Sequence, residues 1–127
     1  MQLQGAIGEV YRAIRFHKEG LAIAQQISDR YSESWLLGYL ADDYMDCKEF
    51  ERAKDYYEKQ LELSREIGDK CREAYALFHL GVISHYLNDY PQAVLLAHAA
   101  LEIFDRIESS EAFEVQKKIS EWQEQIR

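Results

Sequence analysis

Four histidines, two cysteines and a group of acids are the side chains in this sequence that could hold a metal ion or perform catalysis. Asp42, Asp43 and Asp46 carry the oxygen ligands that a divalent cation prefers. They fall within a predicted helix rather than a D-x-D-x-D-G loop, which favours a solvated acidic face over a metal site. No two histidines are four residues apart, so a zinc site across neighbouring helical turns is not indicated. The histidines are His17, His79, His85 and His98.

The two cysteines give no indication of catalysis. Cys47 and Cys71 form no C-x-x-C pair, and no histidine is placed by the sequence as a base for either thiol. They are predicted to be free thiols on half-buried helix positions, in the reducing cytoplasm. The chain also lacks a phosphate-binding glycine loop and an H-E-x-x-H motif. We therefore predict no catalytic residue, no metal, no cofactor and no enzymatic activity.

Composition narrows the class of protein and the kind of partner. The chain has 127 residues, of which 47% are hydrophobic and one is proline, as expected for one folded domain. Lys and Arg number 15 against 23 Asp and Glu, a net charge of -8. Because this charge repels phosphate backbones and anionic lipids, neither nucleic acid nor membrane is an expected partner. The opening residues form no charged-then-apolar leader, so secretion is not predicted.

A repeat of 40 residues organises the sequence. Aligning the segments that begin at Val10, Phe50 and Tyr90 brings an alanine into register three residues later each time. The register then continues without a gap across nearly the whole chain. Aliphatic residues coincide at three further positions, occupied by Leu21, Leu61 and Leu101, by Ile23, Leu63 and Ile103, and by Ile27, Ile67 and Ile107.

Each repeat is predicted to form two helices. Phe50, Ala53 and Tyr57 follow the three- and four-residue spacing of an amphipathic helix, and Gly68 provides its C-terminal cap. Asp69 can then cap the next helix. No alternation typical of strands competes with this pattern. The predicted helices span residues 7–28, 32–47, 50–67, 71–87, 90–108 and 111–126.

The repeat resembles the tetratricopeptide family, whose pattern is W-x-x-L-G-x-x-Y followed by A-x-x-x-F. The matching stretches are Leu37-x-x-Leu40-Ala41-x-x-Tyr44 with Ala53-x-x-x-Tyr57, and Leu77-x-x-Leu80-Gly81-x-x-Ser84 with Ala93-x-x-x-Ala97. Leucine replaces the tryptophan, the closing proline is absent, and the period is 40 rather than 34. The chain is therefore similar to the long-repeat variety found in kinesin light chains and bacterial signalling proteins. The resemblance implies an all-α, right-handed superhelical solenoid of antiparallel helix pairs, used to bind proteins.

The repeat boundaries predict one domain over residues 1–127. It comprises a half repeat (1–30), two repeats (31–70 and 71–110) and a C-terminal capping helix (111–127). Few residues precede the first predicted helix, so we expect the chain to be a fragment of a longer array. The capping helix carries an apolar stripe formed by Val115, Ile119, Trp122 and Ile126.

In this family the first helix of each repeat lines a concave surface, and the resemblance identifies a candidate groove. Its predicted members are Trp35, Tyr39, Asp42, Asp46, Tyr75, Phe78, His79, Val82 and Tyr86. Gly38 is predicted to leave room for a ligand's backbone. The lysine–asparagine clamp that holds a peptide carboxylate in some relatives has no counterpart here. The aromatic and acidic residues instead favour a basic or aromatic-rich peptide. The same aromatics are equally compatible with packing between layers.

A second surface is predicted on the convex side, where Val94, Leu95 and His98 replace charged residues of the preceding repeat. It is predicted to be covered by another subunit, by a further part of the protein, or by the last helix with Trp122. We therefore predict a non-catalytic protein–protein interaction module. The alternatives are a module that self-associates, as a homodimer, and a regulatory domain that senses a peptide.

Overall fold

Six α-helices and no strand make up residues 2–127 of the computed structural model, which describes side chains from residue 8 onward. The fold is an all-α helical repeat, as predicted. The helices are α1 (Gln2–Gln26), α2 (Arg30–Asp46), α3 (Phe50–Ile67), α4 (Lys70–Tyr86), α5 (Tyr90–Arg106) and α6 (Glu111–Ile126). Five of them match the prediction within two residues. The first is an exception, because it begins at Gln2 rather than at residue 7; the Gln, Leu and Ala residues there favour helix.

The turns between helices recur every 20 residues. A residue with positive φ follows each of the first five helices: Ser28, Lys48, Gly68, Asn88 and Glu108. Each time, the next backbone N–H donates to the carbonyl five residues back, as in Asp29 to Ala24 (2.9 Å) and Glu49 to Tyr44 (2.9 Å). This six-to-one hydrogen bond defines a Schellman cap. One 40-residue repeat therefore consists of two helix-and-turn segments of equal length.

The residues that follow these turns begin the next helices. Three aspartate side chains each accept a hydrogen bond from the backbone N–H group of the residue three positions later in the chain. They are Asp29, Asp69 and Asp89. Such caps satisfy donors that have no partner inside the helix and contribute about 1 kcal/mol each. Asp29 also accepts from the Ser32 hydroxyl, and these hydrogen bonds lower the pKa of its carboxyl.

The chain divides into two compact units, residues up to Leu63 (unit 1) and from Ser64 (unit 2). In unit 1, α1 packs on α2, and the buried side chains are mainly aliphatic and small residues with two tyrosines. They include Ile14, Ala24, Leu37, Leu40, Ala41, Tyr44, Ala53 and Tyr57. Ala53 is fully buried, as its place in the repeat predicts.

In unit 2, α5 packs on both α4 and α6. Its interior contains the alanines Ala74, Ala93, Ala97 and Ala100, all fully buried. These small residues allow close approach of neighbouring helices. At Gly81 a β-carbon would lie only 3.1 Å from the backbone oxygen of Ala93. The stripe of α6 is buried at Val115, Ile119 and Trp122, whereas Ile126 is exposed.

Candidate functional site

Three aromatic side chains follow one another along α2, one helical turn apart, in unit 1. The residues are Tyr31, Trp35 and Tyr39, and each lies about 40° around the helix axis from the one before it. We call them the α2 aromatic stripe. Trp35 and Tyr39 are each 39% exposed, and their ring centroids are 6.1 Å apart. With Ser32 and Leu36 the stripe lines a shallow cavity of about 440 Å³. Tyr31 was not among the predicted groove residues, although its spacing from Trp35 places it on the same face.

The two predicted acids of α2 differ in their surroundings. Asp42 is half-buried and accepts a hydrogen bond from the hydroxyl of Tyr57, a buried residue of α3. Asp46 is exposed to solvent. Both continue the face of the α2 aromatic stripe toward the end of the helix, but Asp42 also satisfies a buried hydroxyl. Asp46 is therefore the more exposed of the two predicted acids.

His17 of α1 holds one end of the stripe in place. Its ring stacks on Tyr39 with centroids 5.4 Å apart, and its Nδ1 lies 2.6 Å from Asp43 Oδ2. Asp43 is buried. Burial raises the pKa of the Asp43 carboxyl, and the hydrogen bond from His17 offsets this only in part. Spacing along the sequence could not reveal this pair, because the two residues are 26 positions apart.

In unit 2, four of the predicted groove residues share one face of α4. Tyr75, His79, Val82 and Tyr86 define the α4 stripe. Tyr75 stacks on His79 with centroids 4.1 Å apart, and His79 Nδ1 lies 3.0 Å from the Tyr75 carbonyl oxygen. Val82 is half-buried and Tyr86 is exposed. The α4 stripe thus combines aromatic rings with an imidazole, whereas α2 combines aromatic rings with an acid.

Phe78, the remaining predicted groove residue of α4, packs within unit 2. Its ring stacks on Trp122 of α6, with centroids 6.0 Å apart and planes 13° from parallel. Trp122 also stacks on His85 at 5.3 Å and is only 3% exposed. Trp122 is therefore a core residue of unit 2.

The predicted convex surface on α5 is not covered by the last helix. Leu95 is 66% exposed and His98 is exposed, while Val94 is half-buried. Because Trp122 packs on α4 instead, it leaves Leu95 open. Of the three predicted ways of covering this surface, the one by the last helix with Trp122 is therefore wrong.

Gly38 leaves no room for a ligand. A β-carbon there would lie 2.3 Å from Gln60 Nε2, and Gln60 is fully buried. The space beside Gly38 is filled by this side chain, which also donates to the carbonyl oxygen of Ser34 at 3.1 Å. The prediction that Gly38 admits a ligand's backbone is wrong.

Groups suited to metal binding do not assemble in the part of the chain that the structure describes. Among its residues there is no group of three or more His, Cys, Asp or Glu that could hold a metal ion. Cys47 and Cys71 are both free thiols. Burial, with Glu49 and Asp46 nearby, raises the pKa of the Cys47 thiol and disfavours the nucleophilic thiolate.

Comparison with known proteins identifies the family. The tetratricopeptide repeat model matches residues 32–106, more than half of the chain. The chain therefore belongs to the tetratricopeptide repeat family, whose members commonly bind proteins or peptides and are generally non-catalytic. No curated protein matches it. Among the described residues, no helix has the length and apolar character needed to cross a bilayer.

Solved structures of other proteins share its fold. The apo form of RapI is 21% identical with a TM-score of 0.87, and BtubC (BKLC) from P. vanneervenii is 23% identical with a TM-score of 0.83. A putative kinesin light chain from Podospora anserina with TPR-like repeats is 16% identical with a TM-score of 0.75. These matches cover 92%, 95% and 91% of this chain but 43%, 50% and 57% of the others. The chain thus spans about half the length of these proteins.

Proposed function

We propose that this chain is a non-catalytic protein–protein interaction module that binds a partner peptide or helix on the α2 aromatic stripe. The observation that carries the proposal is the shallow cavity formed by Tyr31, Trp35 and Tyr39 on a single helix. Large aromatic side chains at the centre of an interface supply most of the binding energy in many complexes. Here they are held by a helix packed on α1, so little ordering is needed when a partner binds.

The charge beside the stripe favours a partner with a basic group next to an aromatic or aliphatic anchor. Asp46 lies on the same face as Trp35, three helical turns further along α2. The net charge of -8 adds a long-range attraction for basic segments and disfavours nucleic acid and anionic membranes. In unit 2 we assign the same kind of role to the α4 stripe, whose Tyr75 and Tyr86 offer further aromatic contacts.

Selection from a library of random 12-residue peptides displayed on phage tests this proposal. We expect enrichment of peptides that combine an aromatic residue with Lys or Arg. Trp35→Ala should weaken the selected peptides at least about tenfold, as loss of a central aromatic does in other interfaces. Asp46→Lys should weaken them mainly at low salt.

Two variants serve as matched controls. Phe113→Ala removes an aromatic that is 75% exposed on α6, and Asp105→Lys reverses an exposed acid on α5. Both should leave peptide affinity unchanged. Peptides that bind equally well to Trp35→Ala and to the parent chain would disprove the assignment of the stripe.

Self-association is a second candidate function, favoured by the exposed Leu95. A large aliphatic side chain next to half-buried Val94 gives an apolar patch that a second copy could cover. Multi-angle light scattering tests this directly. A concentration-dependent dimer that Leu95→Asp dissociates supports a homodimer, whereas a monomer at about 1 mM rules it out.

We place this activity in the cytoplasm. The free thiols of Cys47 and Cys71 are compatible with a reducing compartment. A tagged full-length protein that accumulates outside the cell would contradict this location.

A further inference from the structure

A second cavity in unit 1 is lined mainly by positively charged side chains, whereas the exposed charged residue on the face of the α2 aromatic stripe is the acid Asp46. Its volume is about 310 Å³, and it is lined by side chains from α1, α2 and α3. We call it the cationic cavity; its lining residues are Lys18, Tyr44, Arg52, Asp55, Tyr56 and Lys59. Tyr44 follows Trp35 by nine residues, which is half a turn around the helix axis. The cavity and the stripe therefore lie on opposite faces of α2.

Two stacked tyrosines form the aromatic part of the cavity. The rings of Tyr44 and Tyr56 are 5.6 Å apart and 8° from parallel. The guanidinium carbon of Arg52 lies 5.6 Å from the Tyr44 centroid, and Lys59 Nζ lies 5.3 Å from the Tyr56 centroid. Both distances fall in the range of cation–π interactions. Because Tyr44 is buried, these rings fix two positive charges at the edge of the cavity.

The charges of the lining residues do not cancel. Three cations face one carboxylate, Asp55, so the lining has a formal charge of about +2 in a chain whose net charge is -8. Within residues 8–127, neither Lys18 nor Lys59 is joined to an acid in an ion pair. Arg52 is 3.8 Å from Glu49, a long and exposed pair that contributes little. The positive charge is therefore available to a ligand.

We propose that the cationic cavity binds a phosphoryl group, presented on a side chain of a partner peptide or as free phosphate. A phosphate monoester carries a charge of about -1.5 to -2 near neutral pH, which matches the lining, and it offers three acceptor oxygens to the three cations. The volume lies at the lower end for ligand cavities, so it suits one such group with its side chain rather than a larger ligand. This site does not depend on the proposed function of the α2 aromatic stripe.

Calorimetric titration with three probes tests the proposal and separates the two sources. The probes are inorganic phosphate, the peptide acetyl-Gly-phosphotyrosine-Gly-amide and the same peptide without phosphate. We expect the first two to bind and the third to show no heat. Tighter binding of the phosphopeptide than of phosphate assigns a peptide as the source, and equal binding assigns free phosphate. No binding of either phosphorylated probe at about 20 mM overturns the proposal.

Charge variants then locate the binding. Lys18→Ala should weaken the phosphorylated probes about three- to tenfold through loss of one charge-assisted contact. Asp55→Asn should strengthen them, because it removes the single negative charge of the lining. Lys54→Ala is the matched control, since Lys54 is exposed on α3 but lies outside the cavity. A loss with Lys54→Ala equal to that with Lys18→Ala, or no gain with Asp55→Asn, overturns the assignment. All variants change exposed residues, and circular dichroism verifies their folding.

Discussion

A buried glutamine fills the space beside Gly38, and this contact makes a quantitative prediction about stability. An added β-carbon at Gly38 would lie 2.3 Å from Gln60 Nε2 and 2.9 Å from its Cδ. Gln60 is fully buried, and its Nε2 donates to the Ser34 carbonyl oxygen at 3.1 Å. The alanine methyl and the glutamine side chain therefore cannot both keep their places.

Three effects set the magnitude for Gly38→Ala. Alanine in a helix interior gains about 1 kcal/mol over glycine. Displacing Gln60 Nε2 costs about 1–3 kcal/mol, because the buried amide loses its hydrogen-bond acceptor. Forcing an extra carbon into a packed interior costs about 1–3 kcal/mol more. The two losses exceed the gain, so we expect the free energy of unfolding to fall by about 3 kcal/mol.

A double-mutant cycle with Gln60→Ala isolates the contact. In the Gln60→Ala background the colliding atoms are gone, so Gly38→Ala should be neutral or stabilising by up to about 1 kcal/mol. Urea unfolding followed by far-UV circular dichroism measures all four chains. Gly8→Ala is the control, because its β-carbon would meet no atom within 4 Å and should only stabilise α1. A cost for Gly38→Ala that is equal in both backgrounds would refute this reasoning.

The turn at Lys48 and the buried carboxyl of Asp43 give two more predictions. Lys48 has φ 61°, where a β-carbon is strained, so Lys48→Gly should raise the free energy of unfolding by about 0.5–1 kcal/mol in urea; a loss would contradict the turn geometry. The pKa of Asp43 is raised above 3.8 by burial, so its stabilising contribution is complete below pH 3.8 and is lost as the pH rises through its folded pKa. The stability of the parent chain relative to Asp43→Asn should therefore decrease as the pH rises above 3.8, and a difference that is constant or increases with pH would contradict this.

Sequence periodicity predicted the helices because corresponding positions in successive repeats are buried in the same way. Ala53 and Ala93 align at the 40-residue offset, and both are fully buried. The turns between the helices were harder to predict from the sequence. Among the residues that the structure describes, Gly68 is the only glycine with positive φ, yet Ser28 and Lys48 adopt the same conformation. At these positions the Schellman hydrogen bonds determine the backbone, so residue type alone does not reveal the turn.

The candidate surfaces were only partly predictable for a different reason. Spacing along one helix places Trp35 and Tyr39 on a common face, and the structure brings them together. Spacing does not say which residue of another helix fills the space beside them. Trp122 is buried against Phe78, and Gln60 fills the space at Gly38, because tertiary packing pairs residues far apart in sequence.

Packing and the proposed recognition use different residues of α2. Leu37, Leu40 and Ala41 bury the sides of α2, and the fold depends on them. The face that carries Trp35 and the face that carries Tyr44 are half a turn apart and have neighbours of opposite charge. We propose a basic or aromatic segment as the ligand of the first face and a phosphoryl group as the ligand of the second. Because the two faces lie on opposite sides of α2, substitutions on one face should leave binding at the other face unchanged.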